Sequence, residues 1–330
     1  MKGFTRALAL MLIFCALLSF CGCDLAAVLG GTPSGEFSPT PIEDVVKDSF
    51  ENTYRDQLNA NEAAIFDAVA YAAPGENVFT VTLPEPLALC RGRVPTEEEK
   101  QASLDRITFW AVNALYAVWL DSPSLFWLET GNFKHSYKIE AGSDAVYRIS
   151  TVTLTVEKRE NAENAVAYAE ALRAKLSSLS LRGKSDAETV RAINDYLCNS
   201  IRYEDCSDRQ NVYGALLGGR CVCEGYSHAF KLLCDAYGIT SVSIVGTGIS
   251  DAGGEAHMWN AVRIDGAWYA VDVTWNDVEA ADAKNAFLLV GGETKSFGRT
   301  FRESHVVTQT RGNSKTFATV FLNEKTYVPK

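Results

Sequence analysis

The chain has 330 residues, of which 47% are hydrophobic and 22% are charged, a balance typical of a globular protein with about two domains. Its formal net charge is −10, and no basic stripe runs along the sequence. This argues against a nucleic-acid binder, because such proteins present clustered Lys and Arg to phosphate groups.

The first 22 residues have the pattern of a secretory signal peptide. Lys2 and Arg6 precede an apolar run over residues 7–20, which is short for a membrane span. A glycine before Cys23 resembles the lipobox of bacterial lipoproteins, although Phe20 stands where leucine is usual. The pattern predicts an exported protein that a lipid on Cys23 anchors at the outer face of a membrane. The alternative is a secreted protein that is cleaved nearby.

Two segments of different character follow the signal. Residues 23–41 are rich in Gly, Pro, Ser and Thr and predict a flexible tether. Residues 42–158 predict a smaller α/β region of unknown role. In this region a helical pattern stops at Pro74, and an alternating strand follows. Thr96 and Glu99 then have the spacing of a capping box before an apolar helix. The segment VYRISTVTLTVEK alternates as a second strand.

The remainder, residues 159–330, is predicted to form a second domain that opens with two helices. A further helix has the sequence CEGYSHAFKLLCDAYGI, in which aromatic and aliphatic residues share one face and Gly238 ends the helix. Cys223 therefore lies at or near a helix N-terminus. The unpaired N–H groups and the helix dipole there favour a thiolate, which is the nucleophilic form of cysteine.

A nucleophilic cysteine needs a base, and His257 lies in a predicted β-hairpin. The Asp-Gly pair at 265–266 is a strong two-residue turn, which sets the register of the two strands. In this register His257 and Asp272 project from the same face as diagonal neighbours. The arrangement suits a carboxylate that orients an imidazole. A Cys223–His257–Asp272 triad follows, in which the thiol attacks a carbonyl carbon.

The segments CVCEGYSHAFKLLCDAYGI, HMWNAV and WYAVDVTWND, in this order, resemble the transglutaminase-like superfamily. The resemblance covers roughly residues 160–290. It implies an α+β, papain-like core in which the helix that carries the cysteine packs on an antiparallel sheet. It matches Cys223, His257 and Asp272 to the triad of the family, position by position. It also implies acyl transfer or hydrolysis at protein or peptide amides through a thioester.

Several positions near the predicted triad keep two interpretations. The backbone N–H of Cys223 is one expected donor to the oxyanion, and the sequence does not identify a second. Tyr213 is a candidate for the second donor, and the alternative is that Tyr213 is a packed tyrosine. Trp259 and Trp275 are candidates for a substrate groove, or they pack around the hairpin. Cys221 is not usually cysteine in the family, and it is either a bystander or the partner of Cys223 in a reversible disulfide.

The sequence predicts neither a metal nor another cofactor. The single residue between Cys221 and Cys223 does not fit zinc spacing, and DVTWNDVEAADA does not fit a calcium loop. His135 and His305 lie outside any motif. The prediction is a thiol enzyme that acts on a protein or peptide substrate at the cell envelope, with hydrolysis favoured over crosslinking. The alternative is a non-catalytic binding or scaffolding module on the cell surface that retains the fold.

Overall fold

The computed structural model describes most of the chain beyond the predicted tether. The described residues are 46–47, 54–160, 162–206, 208–278 and 284–329. They belong to one unit, Thr40–Lys330. The predicted signal peptide, lipidated Cys23 and tether lie outside the described residues. Within the described ranges, no helix is both long enough and apolar enough for a membrane span.

The N-terminal region combines two helices with an antiparallel sheet of order β2-β5-β3, and β4 pairs with β5. Its elements are α1 (Ala60–Ala70), α2 (Glu97–Asp121), β2 (Val78–Arg91), β3 (Leu128–Tyr137), β4 (Glu140–Ala141) and β5 (Val146–Lys158). The helix predicted before Pro74 begins at Ala60, because Asn59 and Glu62 form a capping box there. The capping box of Thr96 and Glu99 is confirmed.

The C-terminal part contains a five-stranded antiparallel sheet of order β11-β10-β9-β8-β14. Its helices are α3 (Ala165–Ser178), α4 (Asp186–Ser200), α5 (Val212–Leu216), α6 (Cys223–Ala236), α7 (Val273–Asn276) and α8 (Phe301–Ser304). The strands of the sheet are β8 (Ser241–Ser250), β9 (Gly253–Ile264), β10 (Ala267–Val271), β11 (Leu288–Val290) and β14 (His305–Val307). Helix α6 packs on this sheet. The predicted α+β fold is therefore confirmed.

Three short strand pairs and two 3-10 turns complete the account of the described residues. β1 (Val46–Lys47) pairs in parallel with β15 (Thr319–Val320). β6 (Arg202–Tyr203) pairs in parallel with β7 (Arg220–Cys221), and β12 (Lys295–Ser296) pairs with β13 (Arg299–Thr300). Tyr54–Gln57 and Ala162–Asn164 form 3-10 turns.

Local sequence explains the two elements that carry the predicted site. Helix α6 buries Tyr226, Phe230 and Leu233 along one face, and it ends before Gly238, whose φ of +72° is in the left-handed region. Asp265 and Gly266 have φ angles of +50° and +84°, as a primed two-residue turn requires. The strands β9 and β10 pair in the register that this turn predicts, from Ile264 opposite Ala267 to Asn260 opposite Val271.

Hydrogen bonds join the N-terminal region to the C-terminal part of the chain. The Tyr54 hydroxyl donates to the Ser243 carbonyl oxygen at 2.6 Å. The Lys315 ammonium donates to the buried carboxylate of Glu62 at 3.0 Å. These contacts cross the domain boundary predicted at 158–159, and that boundary stays a prediction.

Candidate active site

Cys223 is the first residue of helix α6, as the sequence predicts. The preceding residue, Val222, is extended and provides no side-chain cap. The first-turn N–H groups and the positive end of the helix dipole are therefore directed at the start of the helix that carries the thiol. Cys223 is half-buried, so the thiol lies at the surface end of an otherwise buried helix.

His257 and Asp272 lie side by side on the sheet that faces this helix. His257 is in β9, Asp272 directly follows β10, and His257 Nε2 is 2.7 Å from Asp272 Oδ2. The other carboxylate oxygen, Oδ1, accepts the backbone N–H of Trp275 at 3.1 Å and caps helix α7. Asp272 is fully buried and His257 is 4% exposed, so the protein itself supplies their hydrogen-bond partners.

The electrostatics of this pair favour an ionised state. Burial by itself would lower the pKa of His257, but the Asp272 carboxylate and a hydrogen bond with Cys223 raise that pKa above its usual range. Burial would raise the pKa of Asp272, but His257 and a bond from His305 hold it well below its usual range. The structure thus brings the three predicted residues together, with Cys223 next to an imidazolium that a carboxylate stabilises.

A second histidine, which the sequence reasoning missed, contacts the same carboxylate. His305 Nε2 is 3.0 Å from Asp272 Oδ2, and the His305 side chain is fully buried. His305 opens β14, which pairs with β8 at the edge of the sheet. No local motif marks it, because its contact with Asp272 depends on strand pairing between distant segments.

Two glycines of β8 leave the space that these side chains occupy. A Cβ atom on Gly246 would lie 2.7 Å from the Trp259 ring and 2.1 Å from the Val306 carbonyl oxygen. A Cβ atom on Gly248 would lie 2.9 Å from the Trp275 ring and 3.2 Å from Cβ of His257. The segment IVGTGIS therefore carries glycine at these two positions for packing against the site.

The two tryptophan candidates have different surroundings. Trp259 is 1% exposed and packs against the rings of Phe301 and His305. This burial leaves Trp259 no face for a substrate and fits the alternative, packing around the hairpin. Trp275 is half-buried, and its ring stacks on His257 at 5.2 Å between centroids. Trp275 therefore keeps both interpretations.

Tyr213 lies at the start of helix α5, in an aromatic cluster. Its ring is 4.2 Å from the ring of Tyr168 and stacks at 6.3 Å on Phe126. A hydrogen bond with Tyr168, together with burial, raises the pKa of Tyr213 to about 12. The surroundings fit a packed tyrosine, and the oxyanion role stays a prediction.

Cys221 is a fully buried thiol whose pKa is raised by burial. A Cβ atom on Gly225 would lie 2.4 Å from Cβ of Cys221, so the thiol packs directly under the first turn of α6. The cysteines of the described residues are all free thiols. Cys221 thus has a packing role, and a redox role with Cys223 stays a hypothesis.

The cluster of His257, Asp272 and His305 also offers three ligand atoms within 4.8 Å of one another. Such a set has the donor chemistry of a zinc or iron site. These atoms already pair with each other at hydrogen-bond distances of 2.7 and 3.0 Å in a fully buried location. Hydrogen bonding therefore accounts for the geometry, and the predicted absence of a metal stays a prediction.

Comparison with known proteins finds curated proteins of similar sequence and solved structures of similar fold. Kyphoscoliosis peptidase of Mus musculus is 32% identical over 148 residues, which cover 40% of this chain and 22% of that protein. The Lim and transglutaminase domain protein ltd-1 of Caenorhabditis elegans is 29% identical over 123 residues, which cover 33% and 17%. This chain therefore spans about a fifth of the length of these relatives. The periplasmic domain of TgpA from Pseudomonas aeruginosa matches with 13% identity and a TM-score of 0.24, over 43% of this chain and 62% of that chain.

The family comparison covers the predicted triad. Residues 160–273 match the model of the transglutaminase-like superfamily. The matched segment contains Cys223, His257 and Asp272, and it includes helix α6 and the β9–β10 hairpin. The predicted resemblance to the transglutaminase-like superfamily is therefore confirmed over this segment.

Proposed function

We propose that this chain is an exported thiol enzyme that cleaves or transfers acyl groups at protein or peptide amides through a thioester on Cys223. The observation that carries the proposal is the 2.7 Å hydrogen bond between His257 and Asp272, at an imidazole whose pKa the Asp272 carboxylate and Cys223 both raise. A thiolate held beside an oriented imidazolium is the arrangement that nucleophilic cysteine catalysis requires.

In the first half-reaction, the Cys223 sulfur attacks the amide carbonyl carbon and forms a C–S bond. The C–N bond then breaks, and the imidazolium of His257 gives its proton to the leaving nitrogen. The backbone N–H of Cys223, with Tyr213 as a further candidate, would stabilise the oxyanion. Asp272 keeps the imidazole in one tautomer and one orientation.

In the second half-reaction, the neutral imidazole of His257 takes a proton from water, and the water oxygen attacks the thioester carbon. The C–S bond breaks, the carboxylic acid product leaves, and the thiolate and imidazolium are restored. A lysine amine in place of water gives a crosslink. We favour hydrolysis because water is always available outside the cell, and the name of the mouse relative, a peptidase, supports the same choice.

The location in the cell is also part of the proposal. The N-terminal sequence pattern supports export, with Cys23 as a lipid anchor and residues 23–41 as the tether. The substrate is then a protein or peptide at the cell envelope, and Trp275 is the candidate for its groove.

Selective chemistry at one thiol tests the activation of Cys223. The mature chain is treated with dilute iodoacetamide near neutral pH, and each cysteine peptide is quantified by mass spectrometry. Cys198 and Cys206, which are half-buried like Cys223, serve as internal comparisons. We expect fast labelling of Cys223 that His257→Ala abolishes. Uniform slow labelling would instead favour the non-catalytic binding module.

Product analysis tests the reaction itself. The chain is incubated with casein and a tagged primary amine, and Cys223→Ala is the matched control. Peptide fragments indicate a peptidase, and incorporation of the tag indicates a transferase. If neither product forms, and Cys223→Ala behaves like the wild type, the enzymatic proposal is rejected.

A further inference from the structure

We propose that His305 is a positioning residue of this site, and that it shares the Asp272 carboxylate with His257 and so limits how tightly His257 holds its proton. The inference rests on the proposed function, because it concerns the proton that His257 must release. His305 would act through Asp272 and would not touch the substrate.

The hydrogen bonds of Asp272 show that the carboxylate is shared. Oδ2 lies 2.7 Å from His257 Nε2 and 3.0 Å from His305 Nε2, whereas Oδ1 accepts the Trp275 backbone N–H at 3.1 Å. A carboxylate only accepts hydrogen bonds, so each imidazole nitrogen that faces it must carry a proton. Both histidines therefore donate to the same oxygen.

The neighbours of His305 allow the tautomer that this contact needs. His305 Nδ1 is 2.9 Å from the Ser304 hydroxyl oxygen. When the ring is neutral and Nε2 carries the proton, Nδ1 is an acceptor and the Ser304 hydroxyl donates to it at 2.9 Å, in place of the Phe301 and Thr300 carbonyl oxygens at 3.1 and 3.2 Å. Burial lowers the pKa of His305, against the raising effect of its hydrogen bond with Asp272, so the neutral form prevails near neutral pH.

Packing holds the His305 ring in place. The ring stacks on Phe301 at 3.9 Å between centroids with an interplanar angle of 10°, and Trp275 covers it at 4.5 Å. The ionisable groups that act on it are Asp272 and His257. A ring that is fixed on both faces presents its Nε2–H to the carboxylate without further loss of rotamer freedom.

The chemical consequence concerns the acidity of the His257 imidazolium. A buried carboxylate oxygen that accepts one hydrogen bond attracts that donor strongly. A second donor on the same oxygen weakens the attraction to the first. His305 therefore makes the imidazolium of His257 a stronger acid than Asp272 alone would allow. A general acid must release its proton to the leaving group, so this effect favours cleavage.

Three variants of the full chain separate this role from simple packing. His305→Phe keeps an aromatic ring on Phe301 and removes the donor. His305→Gln places an amide nitrogen near the position of Nε2 and keeps a donor. Ser304→Ala removes the hydroxyl that supports the Nε2–H tautomer, and it also carries the test if His305→Phe fails to fold.

The first readout is proton NMR of the chain with 15N-labelled histidine. The buried Nε2–H protons of His257 and His305 should give downfield signals in the wild type. In His305→Phe one signal disappears, and the His257 signal moves further downfield because its bond to Asp272 becomes stronger. In His305→Gln the His257 signal stays near its wild-type position. An unmoved His257 signal in His305→Phe would overturn the inference.

The second readout is the pH dependence of Cys223 alkylation by iodoacetamide. The imidazolium of the thiolate–imidazolium pair loses its proton on the alkaline side of the profile, so a more basic His257 should move this alkaline transition up by roughly half a pH unit in His305→Phe, and the transition should remain in place in His305→Gln. Ser304→Ala should move it in the same direction by less. A transition that stays or moves down in His305→Phe contradicts the inference, since loosened packing would weaken the bond between His257 and Asp272 and lower the pKa of His257. Slow wild-type labelling would instead contradict the proposed function, and the NMR result would still decide the role of His305.

Discussion

The carboxylate of Glu224, the residue after Cys223, accepts a hydrogen bond of 2.8 Å from the indole N–H of Trp119. Trp119 belongs to helix α2 of the N-terminal region, whose role the sequence leaves open. Arg159 lies 3.9 Å from the same carboxylate. Burial raises the pKa of Glu224, which makes these partners important for its charged form. The N-terminal region therefore helps to hold the first turn of the helix that carries Cys223.

Loss of the Trp119 indole donor should weaken the contact between the N-terminal region and the first turn of α6. We expect Trp119→Phe to lower the free energy of unfolding by about 1–3 kcal/mol, because a buried acceptor loses its partner. Alkylation of Cys223 should also slow, since the first turn of α6 is less fixed. Urea unfolding and iodoacetamide kinetics measure the two effects.

Trp110→Phe is the matched control on the same helix, and Glu224→Gln keeps an oxygen acceptor for the indole. Equal losses in Trp119→Phe and Trp110→Phe would contradict the role assigned to the hydrogen bond between Trp119 and Glu224.

A methyl group on β8 should disturb the site more than the fold. In Gly248→Ala the new Cβ would lie 2.9 Å from Trp275 and 3.2 Å from His257, so one or both rings must shift. We expect the alkylation rate of Cys223 to fall roughly tenfold, because the reaction depends on the position of the imidazole. Gly254→Ala, which meets only Thr247 at 3.1 Å, is the control. Wild-type kinetics in Gly248→Ala would contradict this account of the glycine.

Because Cys221 packs directly under the first turn of α6, we expect that position 225 tolerates only glycine. In Gly225→Ala the added Cβ would lie 2.4 Å from Cβ of Cys221 and 2.7 Å from the Arg209 carbonyl oxygen. Overpacking of this kind destabilises a protein by about 1–3 kcal/mol, which thermal unfolding would detect. Gly142→Ala meets mainly the movable ends of Arg148 and Asp144 and should cost less. If both variants melt alike, the contact with Cys221 does not explain the glycine.

The ionised pair of His257 and Asp272 should make stability depend on pH. Folding raises the pKa of His257 above its unfolded value of about 6.5. The contribution of this group to the free energy of unfolding is therefore complete below about pH 6.5 and is lost as the pH rises from there through the folded pKa. Because folding lowers the pKa of Asp272, its contribution is lost as the pH falls below about 4.

In Asp272→Asn the free energy of unfolding should fall less as the pH rises, because the carboxylate that raises the pKa of His257 is gone. Urea unfolding at about pH 6 and about pH 9 measures the difference. Asp251→Asn, which alters a carboxylate that is 94% exposed, is the control and should keep the wild-type slope. The same slope in Asp272→Asn and the wild type would contradict the assignment.

Much of the site could be predicted because it depends on local patterns. The apolar face of α6 and its terminal Gly238 located Cys223 at a helix start, and the turn at 265–266 determined the register that joins His257 to Asp272. The prediction for Trp259 was less complete, because alternation in a strand does not tell which face another layer covers. Trp259 is 1% exposed because α8 and β14 pack over it through Phe301 and His305.

The sequence by itself predicted that Cys223, His257 and Asp272 meet in one site, since each lies in a segment whose helix start or hairpin turn encodes its position. Only the tertiary structure decided that His305 donates to Asp272 and that Trp119 donates to Glu224. His305 and Trp119 are 33 and 105 residues from their partners. Such contacts arise from the order of strands and the packing of layers, which no short stretch of sequence specifies.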